Sequence, residues 1–314
     1  MYDRAMQTLY ALAMSPIEAS TGDLASFGFI KFRSTKDAYA YMRICLSRKC
    51  SAEYILEGDI KSCFDMISHD WLLSNIPIKK STLSQFLKTG YFENGRLFPT
   101  DKGVPQGSPL SPILANMVLN GLEAELGRNF YAQKDGKINK KCCNKHKINY
   151  TRFADDFVVT ANSEDPLLKA KEIISLFLEQ RGLSLSDEKT TITHISNGFD
   201  FLGWNFRKYN GTLLPKPSKG SQKSIIQKIR ETIHQGRTWS QDRLIATLNP
   251  IIRGWSLYHK HAVSSGDSAD LTILCGVCYT HGLNDVTKTK VRNGFFIDIG
   301  IRLGIGYGRL QQAN

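Results

Sequence analysis

A mixed α/β domain followed by a basic helical region is the architecture that the 314-residue sequence predicts. Three observations lead to it. Short apolar, strand-like runs alternate with helical segments between residues 51 and 210, and two of those runs carry acidic residues among apolar neighbours. Beyond LPKPSKG the pattern changes to a basic helical stretch over roughly residues 218–262. Internal repeats are absent from the sequence.

Taken in order, MYDRAMQTLYALAMSPIEA reads as an amphipathic helix carrying Asp3, Arg4 and Glu18. A turn-like stretch, SFGFIKFRSTKDA, leads into a second helix through Ala38–Ser47. EYILEGDIK, residues 53–61, reads as a strand ending at Asp59. A helix is expected from about Ser68 to Leu87, with Ser68 or Asp70 as its N-cap. The Gly/Pro-rich turn DKGVPQGSPLSP precedes an apolar helix, ILANMVLNGLEAEL. Residues 132–149 are polar and strongly basic and read as an exposed loop or ribbon tip. NYTRFADDFVVTA reads as a hairpin, followed by a helix over 166–181 and a strand near 190–195. FDFLGWNFRK adds one more β segment, and the final residues show scattered Gly without a clear period.

Composition narrows the function. Lys and Arg number 41 against 29 Asp and Glu, a formal net charge of +12. Such an excess favours a polyanionic partner, because bound cations release the counterions condensed on nucleic acid; a merely soluble basic surface is the plain alternative. Seven cysteines form an odd set without a repeating framework, which points to reduced thiols in a non-secreted protein. No apolar run reaches the length of a membrane span, and the N-terminus lacks the basic start and apolar core of a signal peptide. A cytoplasmic setting, or the equivalent compartment of an organelle, is expected.

The acidic residues inside apolar strands carry the chemistry. Such groups are unfavourable unless charge-paired or metal-bound. Asp59 ends one strand; Asp155 and Asp156 lie between Phe153-Ala154 and Phe157-Val158-Val159 in another. Neighbouring strand residues face opposite ways, so Asp155 and Asp156 share a face only if they occupy the turn of the hairpin. A hairpin beside the first strand would bring Asp59 and Asp155 together with Asp156 nearby. Clustered carboxylates suit hard cations such as Mg²⁺, and two such ions serve phosphoryl transfer. A bare Asp-Asp pair more often marks a turn or a helix cap; the order of the surrounding motifs is what favours the metal reading.

That order has seven parts. DRAMQTLYALAMSPIEA with SFGFIKFRSTKDA resembles the second fingers block of the group II intron-encoded reverse transcriptase/maturase family. DIKSCFDMISHDWLL at 59–73 is similar to the family's first catalytic block, GVPQGSPLSPILANMVLNGLE at 103–123 to its PQG block, and YTRFADDFVV to its [YF]xDD box. GLSLSDEKTTITHI at 182–195 resembles the later lysine-bearing block, FDFLGWNF at 199–206 the primer grip, and LNPIIRGWSLYH at 248–259 the maturase, or thumb, domain.

The resemblance implies a right-hand polymerase: partial fingers over 1–50, a palm over 51–210, a helical thumb over 211–263 and a divergent tail over 264–314. It implies RNA-directed DNA synthesis on an intron RNA template from a DNA or RNA primer with dNTPs, and RNA binding that assists splicing. Asp59, Asp155 and Asp156 would coordinate two Mg²⁺ ions, Asp155 and Asp59 as the main ligands. Phe64 would be the steric gate beneath the sugar of the incoming nucleotide, although a lone aromatic is more commonly core. Gln106 and Gly107 would lie against nucleotide and template. Lys189 would donate a proton to the leaving pyrophosphate or neutralise it, with a solvated surface lysine as the alternative. Gly203 and Trp204 would support the primer end. Arg253, Trp255, Tyr258 and His259 resemble an RNA-holding site, with core packing open for the two larger rings. Lys137, Lys140, Lys141, Lys145 and Lys147 form either a phosphate-contacting patch or a plain solvated loop.

Two departures from the family stand out. Relatives carry an RPLGIP-like segment before the second block that contacts the triphosphate, and many have lysine where this sequence has Tyr2. The expectation is a truncated product, a complementing fingers fragment, or a protein that no longer polymerises. The rival functions are therefore a non-catalytic RNA-binding splicing factor and an inactive fragment of a decayed element. In the tail, Cys275, Cys278 and His281 fall one ligand short of a four-coordinate zinc site, and no endonuclease activity is expected.

Overall fold

Four antiparallel strands, in the order Asn149–Phe153, Asp156–Ala161, Tyr54–Asp59 and Thr191–His194, hold the acidic residues at one end of a sheet. The computed structural model describes residues 2–88, 91–93, 96–98, 101–105, 107–133 and 135–262, apart from the side chains of residues 2, 91–93, 96–98, 141, 142 and 241. Gln106 and the tail with Cys275, Cys278 and His281 lie outside the described residues.

Along the chain the elements are α1 (Tyr2–Thr21), α2 (Thr35–Leu46), β1 (Tyr54–Asp59), α3 (Cys63–Met66), α4 (His69–Asn75), α5 (Lys80–Leu87), β2 (Tyr91–Glu93) and β3 (Arg96–Phe98). Then come α6 (Ser111–Leu119), α7 (Leu122–Phe130), α8 (Lys140–Cys143), β4 (Asn149–Phe153), β5 (Asp156–Ala161), α9 (Glu164–Glu179) and β6 (Thr191–His194). The last are β7 (Phe199–Phe201), β8 (Trp204–Phe206), β9 (Lys208–Tyr209), β10 (Thr212–Leu213), β11 (Lys216–Pro217), α10 (Lys219–Gln235) and α11 (Gln241–His259). They fall into two units: residues up to 199 with 208–213, and residues 200–207 with 214 onward.

In the first unit β5 is central. Phe157, Val158, Val159, Thr160 and Ala161 are all buried, which accounts for a continuous apolar run where a half-exposed strand would alternate. Its partners run from Tyr54↔Ala161 to Asp59↔Asp156 on one side and to Phe153↔Asp156 on the other. A slip of one residue would part the two aspartates, so the β1–β5 register places the site. Leu56, Ile67, Leu72, Leu83, Leu114, Val118, Phe157, Val159, Ile174 and Leu178 belong to one core. The apolar α6 is buried along nearly its whole length.

Three expected segments are corrected, the first being the helix ILANMVLNGLEAEL, which divides into α6 and α7 at Gly121, φ 94°. The single helix over Ser68–Leu87 is broken into α4 and α5. Residues preceding proline avoid the α region, and Ile76, before Pro77, turns extended at ψ 130°. Ser68 does cap α4, its side chain accepting a bond from the Trp71 amide. FDFLGWNFRK is two strands instead of one, reversing at Leu202-Gly203, both at positive φ.

In the second unit α10 and α11 are capped by Ser218 and Ser240, whose side chains accept bonds from Ser221 N and Arg243 N. Ile225, Ile229 and Ile233 pack with Leu244, Leu248 and Ile252, two stripes at four-residue spacing. No described helix is long and apolar enough to cross a membrane.

Candidate active site

Asp59 and Asp156 face each other as register partners at the ends of β1 and β5. Asp155 sits in the two-residue reversal between β4 and β5, after Ala154, which adopts a left-handed φ of 58°. The hairpin turn at the Asp pair, expected from the need to put both carboxylates on one side, is thus present. Gly28 comes against this turn: a Cβ built on it would stand 2.2 Å from Ala154 N, so only glycine permits the approach.

The carboxylates feel one another. Asp156 lies at the surface, yet partial desolvation and the charges of Asp155 and Asp59 lift its carboxyl to about 6, while Lys189 offsets part of the rise. Asp59 is mostly covered, its side chain 13% exposed, and meets the Lys189 ammonium at 2.9 Å. That meeting follows from local backbone. Ser186 N donates to Asp59 O, and Lys189 N donates back to Ser186 O, so a turn returns the lysine over the strand end. Cys63 lies close by; burial first, then the charge of Asp155, pushes its thiol to about 12, which leaves it unreactive. Three carboxylates are hard oxygen donors of the type that suits divalent cations. Among the described residues, no three His, Cys, Asp or Glu side chains form a preformed metal cage.

Phe64 is half-buried on α3, its ring edge-to-face with Phe29 at 6.3 Å. The segment before the PQG motif is sewn to α3, with Val104 N donating to Phe64 O and Gly103 N to Ile67 O. Gly107 is exposed at φ 81° with open space around its Cα. Asp59, Asp155, Asp156, Lys189, Phe64 and Gly107 all lie in the first unit.

Sequence reasoning missed the support beneath this site. Arg152, immediately before the FADD turn, is completely buried. It bonds to Asn116, Asn120 and the Ala154 carbonyl, and Asn116 in turn bonds to the buried Glu18 and to Gly28 O. A basic residue inside an apolar strand was the available signal.

The remaining residues separate. Trp204 is 1% exposed and stacked on Tyr258 at 4.5 Å, a packed position. His259 is likewise buried, its Nε2 against Ser221 Oγ at 2.9 Å. Trp255 donates to the same oxygen at 3.0 Å. Tyr258 keeps an exposed face and donates to Leu202 O. Gly203 forms the β7–β8 turn, and Arg253 is exposed. Of the loop lysines, Lys137 and Lys145 are exposed. Lys140 donates to Tyr41 at 3.0 Å and lies 4.0 Å from Glu123, while Lys147 bonds to Cys50 O. Residues 132–149 are therefore less open than a solvated loop. The Lys141 side chain lies outside the described residues.

Residues 1–206 match the family described as reverse transcriptase (RNA-dependent DNA polymerase), and residues 222–271 match the group II intron maturase-specific domain. The group II intron-encoded protein LtrA of Lactococcus lactis subsp. cremoris is 27% identical over 90% of this chain and 57% of its own length. Protein YkfC of Escherichia coli K12 is 28% identical over 64% of this chain and 60% of its own length. The chain thus spans under two thirds of these relatives. A solved telomerase from Candida tropicalis aligns with a TM-score of 0.48 at 19% identity, over 68% of this chain and 45% of that one. With more than half of its length matched, the chain belongs to the reverse transcriptase family, in the branch that carries a group II intron maturase-specific domain.

Proposed function

We propose that this chain performs RNA-templated DNA synthesis at Asp59, Asp155 and Asp156, within a palm spanning residues 51–210. The single observation that carries the reading is the convergence of Asp59 with the Asp155-Asp156 turn, fixed by the β1–β5 register. Reverse transcriptases generally use divalent metal ions. The residues here fit such ions: the donors are hard carboxylates, desolvation and then the charges of Asp155 and Asp59 raise Asp156, and a cation, Lys189, already meets Asp59. Asp59, Asp155 and Asp156 would hold two Mg²⁺, which supply charge neutralisation when the primer 3′-hydroxyl attacks the α-phosphate of a dNTP.

The chain's own residues do the rest. Phe64, braced by Phe29, would exclude a 2′-hydroxyl. Lys189 would turn from Asp59 to the leaving pyrophosphate, giving it a proton or its charge; a side chain 68% exposed is free to swing. Gln106 and Gly107 would line the nucleotide and template. The helical unit with Arg253, and the exposed Lys145, would hold the intron RNA.

A second reading is favoured by the maturase-domain match at 222–271: RNA binding that assists splicing without synthesis. The deciding experiment is primer extension on an RNA template with Mg²⁺, run beside RNA filter binding. Extension that requires Asp155 supports synthesis; RNA binding without any extension supports the splicing role alone.

A further inference from the structure

We propose that Arg152 is the positioning residue of the catalytic turn, holding Asp155 in place through the Ala154 carbonyl and tying the turn to the loop that carries Phe29. The inference rests on the polymerase reading above and concerns a residue that touches neither substrate nor metal.

Arginine is almost never fully buried unless its donors are matched, because an unmatched charge is strongly disfavoured in the interior. Arg152 has no exposed surface. Its two terminal nitrogens are matched: Nη1 donates to Asn116 Oδ1 at 3.0 Å and to Ala154 O at 3.1 Å, and Nη2 donates to Asn120 Oδ1 at 3.1 Å, while the buried Nε has no partner among the described residues. The charge is answered one step further on. Asn116 Nδ2 donates to Glu18 Oε1 at 2.6 Å and to Gly28 O at 2.8 Å, and Glu18 is itself buried. Arg152 and Glu18 are thus bridged by one amide whose orientation both partners fix.

The end point of the network gives it a function. A side chain that only filled the core would stop at α6. This one reaches Ala154, a residue with a Cβ held at φ 58°, where L residues are sterically disfavoured. Released from Arg152, that residue relaxes towards ordinary backbone angles, and Asp155 turns with it. The backbone of Arg152 works in the same direction. Its N donates to Ala25 O and its carbonyl accepts from Phe27 N, both at 2.9 Å, so the 25–28 loop is hydrogen-bonded to β4 beside the turn. Gly28 packs on Ala154 N, and the next residue, Phe29, meets Phe64. One residue therefore secures both, its guanidinium the carboxylate turn and its backbone the loop that leads to the aromatic pair proposed to face the sugar.

The test measures Mn²⁺ binding to the full chain by electron paramagnetic resonance, with RNA filter binding and thermal melting on the same samples. Arg152→Lys keeps the charge but loses the fork, and is expected to weaken Mn²⁺ binding about ten-fold or more, the scale seen when residues behind metal ligands are changed. RNA affinity should stay within two-fold. Glycine adopts positive φ freely, so adding Ala154→Gly to Arg152→Lys should recover part of the Mn²⁺ affinity, which repair of general stability would not single out. If Arg152→Lys does not fold, Asn120→Ala, which removes only the Nη2 contact, should give a smaller loss in the same direction. Unchanged Mn²⁺ affinity in a folded variant, or no recovery with Ala154→Gly, overturns the inference while leaving the polymerase reading intact. A wild-type chain that binds no Mn²⁺ overturns both.

Discussion

The Lys189 ammonium rests 2.9 Å from Asp59 Oδ2, two residues brought together across 130 positions of sequence. The contact raises the lysine's pKa, chiefly through that hydrogen bond and the Asp59 charge, so the ammonium form persists at neutral pH. A cation on a carboxylate proposed to bind metal competes with the metal. Lys189→Ala should therefore bind Mn²⁺ several-fold more tightly, while its primer extension slows because the pyrophosphate loses its proton or charge donor. Isothermal titration alongside single-turnover extension checks both halves. Metal affinity that falls or stays level in the variant would remove the competition.

Phe64 and Phe29 make a second relationship with consequences. Their edge-to-face contact at 6.3 Å is of the kind worth about 1 kcal/mol beyond area burial. Phe64→Val should raise rNTP use relative to dNTP by opening space under the sugar. Phe29→Leu should produce the same change to a smaller degree, because it loosens the ring without removing it. Competitive incorporation of dNTP and rNTP measures the ratio; an unchanged ratio in Phe64→Val would return that residue to the core.

The helical unit carries a pH dependence. Ser221 Oγ accepts from Trp255 Nε1 and lies 2.9 Å from Nε2 of the buried His259 imidazole. Burial lowers His259 to about 4 from an ordinary 6.5. Between those values the unfolded chain binds the proton and the folded one does not. Stability is thus complete above about pH 6.5 and is lost as pH falls towards 4. Urea midpoints followed by tryptophan fluorescence should fall across this window in the wild type and fall less in His259→Gln. Parallel curves for the two proteins would show that His259 does not titrate on unfolding.

How much of this was legible follows from the range of the interactions. Asp59, Asp155 and Asp156 could be found because acidic residues in apolar runs violate the strand pattern, and because the hairpin that joins the last two is local. The break at Pro77 was legible in principle, but the apolar spacing on either side of it reads as one helix. The burial of Trp204 and His259 was not legible because composition cannot tell a stacking ring from a packed one; their partners, Tyr258 and Ser221, lie tens of residues away. Arg152 showed only as a basic residue in an apolar strand. Its meaning depends on Asn116 and, through it, Glu18, 98 residues from Asn116 in sequence.

The central claim is that Asp155 is required for synthesis and not for RNA binding. The most direct measurement is Mg²⁺-dependent primer extension and RNA filter binding on one preparation each of the wild type and Asp155→Ala. Loss of a carboxylate from the metal-binding turn should lower extension by about a thousand-fold, within the range of single electrostatic contributions to transition states, with RNA affinity unchanged within two-fold. In both proteins RNA affinity should fall with added salt, at a slope near −0.7 per phosphate contact on a single strand. Extension that survives in Asp155→Ala, or RNA affinity that falls together with it, would contradict the account.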